Sequence, residues 1–157
     1  MGADIHFVIE SRAKDQPWVG VYCTGSSPRF RPRSYMTGLN SREYLYDIDA
    51  PQRERNYAFF AKLAGVRGPG PKPKGMPKDA SELARRSREN WGSDGHSHSY
   101  VSLDEFAAAW LATALPEVQA AVVAARLERE GFHPAAWLFD LYDNVGSEHR
   151  VVFWFDN

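Results

Sequence analysis

Ala3-Asp4-Ile5-His6-Phe7-Val8-Ile9-Glu10 decides the fold class. Ile5, Phe7 and Ile9 point one way along an extended chain, and Asp4, His6, Val8 and Glu10 point the other. That alternation is a β-strand with one apolar face. Trp18–Thr24 repeats the pattern after the polar turn Lys14-Asp15-Gln16-Pro17, which predicts a β-hairpin. At the far end, Val151, Phe153 and Phe155 alternate with Val152 and Trp154, so Arg150–Phe155 reads as another strand. The stretches between carry helical signals. Asp49 is a cap for a helix from Pro51 to Ala64, with Tyr57, Phe60, Leu63 and Ala64 on one face and Gly65 as its stop. Ser81 opens a short helix to Asn90. Ser102 and Glu105 form a capping box before a helix that carries Phe106, Ala109 and Trp110. Pro116–Glu130 and Pro134–Tyr142 read as further helical pieces, and Glu43–Tyr46 as a short strand. The expectation is one α+β domain over residues 1–157. It has a small antiparallel sheet, the N-terminal hairpin plus the C-terminal strand, and helices packed on one face.

A chain of 157 residues buries enough surface to fold without a disulfide or a structural metal. The single cysteine, Cys23, leaves no partner for a disulfide within the chain and rules out a cysteine-based zinc site. The first residues hold neither a basic leader nor a long apolar run, so the expected location is cytoplasmic, without a membrane span. The net charge of −1 hides an asymmetry: residues 1–100 carry 16 basic and 11 acidic side chains, and residues 101–157 carry 3 and 9. The basic excess lies in Pro28–Arg33 and in Arg67–Lys78. It points to an anionic partner on one side of the molecule, or else to two solvated loops.

Five histidines are present, and His6, His96 and His98 have unusual settings. His6 shares a strand face with Asp4, while His96 and His98 lie in a Gly- and Ser-rich stretch read as a loop. Three readings stay open. An extended H-x-H puts two imidazoles on one side, and with His6, Asp4 or Asp94 this makes a nitrogen and oxygen ligand set for a metal. Without metal, His96, His98 and His6 are acid–base candidates, or they hydrogen-bond a phosphate together with Ser97 and Ser99. A third reading is structural, with the histidines packed against Trp91 and Tyr100. Hydroxyls donate to phosphate oxygen and are poor ligands for zinc, so neither a metal nor a cofactor is expected. Asp94-Gly95-His96-Ser97-His98-Ser99 resembles the opening motif of the PHP phosphoesterases. In that family the motif opens a larger barrel and further ligands follow, whereas here it sits in mid-chain. Among the cations, Arg67 is the leading phosphate contact because it precedes a Gly-Pro-Gly turn with accessible amides, and Arg55 joins it. Trp91 and Tyr100, with Trp18 and Tyr22, are the stacking candidates.

Several segments together resemble a family of bacteriophage and prophage proteins. They are Gly2-Ala3-Asp4-Ile5-His6, Arg55-Asn56-Tyr57 with Phe60, Leu63-Ala64-Gly65-Val66-Arg67-Gly68, Lys74-Gly75-Met76-Pro77, His96-Ser97-His98-Ser99 and Val152–Asn157. The resemblance implies an accessory or anti-defence protein acting in the host cytoplasm, where related groups bind or destroy nucleotide signals of immunity. The expected partner is a small phosphorylated nucleotide, with no membrane and no long nucleic acid, and self-association into a homo-oligomer is compatible with this. Capture of the nucleotide leads, ahead of its cleavage by a phosphodiesterase. A host-protein inhibitor without a small-molecule site is the third alternative. The expected site is Asp4, His6, Arg55, Arg67, Trp91, His96, Ser97, His98, Ser99 and Tyr100.

Overall fold

The structure, a computed structural model, describes residues 2–23, 55–113 and 147–157. Four strands form one antiparallel sheet: β1 (Asp4–Ala13), β2 (Val19–Cys23), β3 (His96–Ser102) and β4 (Ser147–Asp156), in the order β2-β1-β4-β3. Three helices are described: α1 (Tyr57–Ala64), α2 (Glu82–Trp91) and α3 (Leu103–Thr113). The α+β class and the pairing of the last strand with the hairpin stand as the alternation predicts. His96–Ser99, expected in a loop, is instead the start of edge strand β3. The expected elements over 43–46, 116–130 and 134–142 lie outside the described residues, as do Asp49 and the basic stretch 28–33.

Local chemistry explains the helix ends. α1 starts later than the expected Pro51, because Arg55 and Asn56 are not helical and the Asn56 side chain accepts the Phe59 amide. Gly65 ends α1 in the left-handed region. Ser81 caps α2 through the Ala84 amide. The capping box before α3 is reciprocal: Ser102 Oγ accepts from the Glu105 amide, and Glu105 Oε2 accepts from the Ser102 amide.

The helices are not confined to one face of the sheet. Ile5, Phe7, Ile9, Val151, Phe153 and Phe155 pack against α1 and α3 through Phe59, Phe60, Leu63, Phe106 and Trp110. Val8, Cys23, Val152 and Trp154, on the other face, pack against Ala80, Leu83 and Ala84 at the start of α2. The physical reason lies in β4, whose Val151–Phe155 is fully buried on both faces. An apolar run of that kind needs cover on each side.

On this second face a charged group is buried with its partners. Glu10 is fully buried, and Arg150 stands opposite it in the β1–β4 register. Arg150 Nε donates to Glu10 Oε2 at 2.5 Å, and the other Glu10 oxygen accepts the Ser81 amide at 2.6 Å. The remaining Arg150 nitrogens reach the Asp79 carboxylate and carbonyl at 2.8 and 3.1 Å. The turn that launches α2 is thereby tied to the middle of the sheet. Removing one member of such a pair leaves a buried charge without compensation. Arg150→Ala is expected to lower unfolding stability in urea by about 3–5 kcal/mol; a loss below about 1 kcal/mol, the worth of a surface pair, would contradict this burial.

Candidate functional site

The register of β1, β4 and β3 gathers four rings on the α2 face. His6 stands opposite Trp154, and their ring centroids are 6.2 Å apart. Trp91, the last residue of α2, lies 3.9 Å from His6. His98 stacks on Trp154 from the β3 side, also at 6.2 Å. His6 and His98, 92 residues apart in sequence, thus meet around one tryptophan. His6 Nε2 lies 3.2 Å from Asp156 Oδ2, and Asp156 Oδ1 accepts the Asp4 amide.

His96 does not join them. A bulge between His96 and Ser99, with Ser97 at φ 52°, inserts an extra residue against β4. His96 therefore pairs with Phe155 and its ring lies 6.3 Å from that phenyl, on the opposite face from His98. The two imidazoles of the H-x-H do not share a side, contrary to the extended-loop expectation. Among the described residues no three His, Cys, Asp or Glu side chains converge as a metal site.

Several other expected ligand contacts are engaged within the protein. Arg55 donates through Nε to Asp4 Oδ1 at 2.8 Å and through a second nitrogen to Oδ2 at 3.3 Å. That hydrogen bond, and then the Asp4 charge, raises the Arg55 pKa above its ordinary value. Gly2 leaves the space for this guanidinium: a Cβ there would sit 2.5 Å from it. Ser97 Oγ bonds His96 Nδ1 at 2.9 Å, and Ser99 Oγ accepts the Lys74 amide at 3.2 Å. Gly75 donates its amide to the His98 carbonyl, so residues 74–75 cover the outer edge of β3. Tyr100 lies under Lys74 and Arg150. The Arg12 and Arg150 guanidiniums lie over the Trp18 ring at 4.3 and 4.2 Å, and its indole donates to Asp79.

Arg67 lies 5.9 Å from the Tyr57 ring, beside α1. The Gly-Pro-Gly turn after it serves close packing, since a Cβ on Gly70 would fall 1.8 Å from the Ala61 carbonyl oxygen.

A cleft of 430 Å³ opens between α2 and residues 75–78. Its lining is Gly75, Met76, Pro77 and Lys78 on one side, Arg85, Arg88 and Glu89 of α2 on the other, and His98. Lys78, Arg85 and Arg88 are exposed and make no ion pair among the described residues, whereas the neighbouring Arg86 is held by Glu82. His98 Nε2 is buried and makes no hydrogen bond among the described residues. Arg85 and Arg88 are not among the residues expected at the site. Their signal was the i, i+3 spacing that places both on one stripe of a short polar helix.

The fold and this cleft define a small α+β protein with a basic recess at the edge of its sheet. Comparison with protein-family models, with curated proteins and with solved structures gave no match. No helix among the described residues is long and apolar enough to cross a membrane.

Burial, then the positive charge of Arg88, then His96, lowers the His98 pKa below its ordinary value of 6.5. The neutral ring is therefore the form the fold favours. Where the unfolded chain binds the proton more readily, stability falls as the pH drops from 6.5 toward the folded value. In an NMR titration the His98 imidazole should titrate below 6.5, and Arg88→Gln should move it upward; a midpoint above 6.5 in the unliganded protein would contradict the geometry.

Proposed function

We propose that the protein binds a small phosphorylated nucleotide in the cleft between α2 and residues 75–78. The observation that carries this reading is the set of three cations, Lys78, Arg85 and Arg88, that line the cleft beside His98 and make no ion pair among the described residues. Arg presents a planar fork to phosphate and Lys a mobile point charge, and an imidazole that gains a proton adds a further donor. Met76 and Pro77 give the opposite wall an apolar surface against which a base can lie. This moves the phosphate contact from Arg67 to α2.

Capture rather than cleavage fits the arrangement better. A cleavage reaction that uses two histidines needs both at the same bond; the bulge at Ser97 sends His96 to the other face, and His6, although near His98, does not line the cleft. With the resemblance to phage and prophage proteins, the role is an accessory one: holding a nucleotide signal away from its receptor in the host cytoplasm.

Calorimetry with AMP, ADP-ribose and a cyclic dinucleotide is expected to give binding with at least one of them. Arg88→Ala should weaken that binding by about 1.5–3 kcal/mol, the range for a hydrogen bond to a charged group. Bound phosphate should raise the His98 pKa, because an adjacent anion favours the imidazolium. Nucleotide released by heating should be recovered intact. A new product would replace capture by hydrolysis, and no binding to any nucleotide would turn the reading toward a host-protein target.

A further inference from the structure

Glu89 is the one acidic residue lining the cleft, and it makes no ion pair among the described residues. A carboxylate beside three cations opposes phosphate binding, unless it serves another part of the ligand. Its place on α2 indicates which part. Arg85 and Glu89 are four residues apart and line the same cleft, so their Cβ atoms are separated by about 5–6 Å, one helical turn. In a ribonucleoside 5′-phosphate, the groups that lie that close to the phosphate are the hydroxyls of the attached ribose. The hydrogen-bonding edge of the base lies well beyond. An ionised carboxylate only accepts hydrogen bonds, and two neighbouring hydroxyls can donate to its two oxygens. A carboxylate on the ribose, next to cationic or amide contacts on the phosphate, is also the division of labour in dinucleotide-binding folds of quite different architecture.

Resting on the reading of the cleft as a phosphate site, we infer that Glu89 is its specificity-determining residue. It accepts the free hydroxyls of a ribose, so that the cleft selects ribonucleoside 5′-phosphates over their 2′-deoxy counterparts and over nucleotides whose 2′ or 3′ oxygen is esterified. Esterification removes a donor and brings a second anion to the carboxylate, and both changes oppose binding. Among phosphorylated signals this favours the ADP-ribose and 5′-mononucleotide type, whose ribose hydroxyls are free, over the cyclic dinucleotides.

The test is calorimetric titration of the full chain and of Glu89→Gln with AMP, 2′-deoxy-AMP, GMP, 2′-deoxy-GMP and inorganic phosphate. Glu89 is an exposed helical residue, so its replacement leaves the core intact. The unaltered protein is expected to bind each ribonucleotide about tenfold or more tightly than its deoxy form, the scale of one charge-assisted hydrogen bond. In Glu89→Gln that ratio should shrink several-fold, while inorganic phosphate binds at least as well, because a repelling charge has gone. Equal affinity for the ribo and deoxy forms in the unaltered protein, or a ratio unchanged in Glu89→Gln, overturns the role of Glu89 and leaves the phosphate site standing. No heat with any probe, inorganic phosphate included, overturns both.

Discussion

The buried pair of Glu10 and Arg150 is the constraint on which the rest of the structure depends. A carboxylate and a guanidinium removed from water are costly unless each finds nearly all of its hydrogen bonds. Here the carboxylate takes the Arg150 guanidinium and the Ser81 amide, and the guanidinium also takes Asp79. These demands fix where the turn at Asp79–Ser81 sits, and Ser81 caps α2. The direction of α2, and with it one wall of the cleft, follows from a charge pair in the middle of the sheet. Well-packed apolar residues could match its stability, so its contribution is one of position.

The described cations differ in their partners. Arg12, Arg55, Arg86 and Arg150 each face a carboxylate. Lys74 is turned onto the Tyr100 carbonyl and ring. Lys78, Arg85 and Arg88 are left around a common recess without such partners among the described residues. Cations gathered there repel one another; burial first, and then the charge of Arg88, lowers the His98 pKa. Of the basic stretch Arg67–Lys78, Lys78 lines this recess, while Arg67 lies beside Tyr57 of α1.

Much of the fold was legible in the sequence. The alternation in Ile5, Phe7 and Ile9, the box at Ser102 and Glu105 and the stop at Gly65 are local signals, and the structure obeys them. The second covered face was not read from β1, because His6 and Glu10 look like solvent-facing residues until their partners Asp156, Arg150 and Ser81 arrive from distant parts of the chain. The signal that could have revealed it is β4, where Val152 and Trp154 are as apolar as Val151 and Phe153. Gly92, Asp94 and Gly95, just ahead of His96–Ser99, have weak strand preference and signal a loop, and the pairing to Phe153 and Phe155 overrides that signal. The meeting of His6, Trp91 and His98 follows from strand order, which no local pattern encodes. The motif residues Gly2, Asp4, Arg55, Ser97 and Ser99 pack and pair with one another or with their neighbours.

The central claim is that the cations of α2 and the His98 ring form the binding surface, and a crystal structure of the protein grown with AMP tests it most directly. The phosphate is expected between Lys78, Arg85 and Arg88, within hydrogen-bond distance of at least one guanidinium and on the side of the cleft that His98 lines. A phosphate seated instead beside Arg67 and Tyr57, on the α1 side, would contradict it.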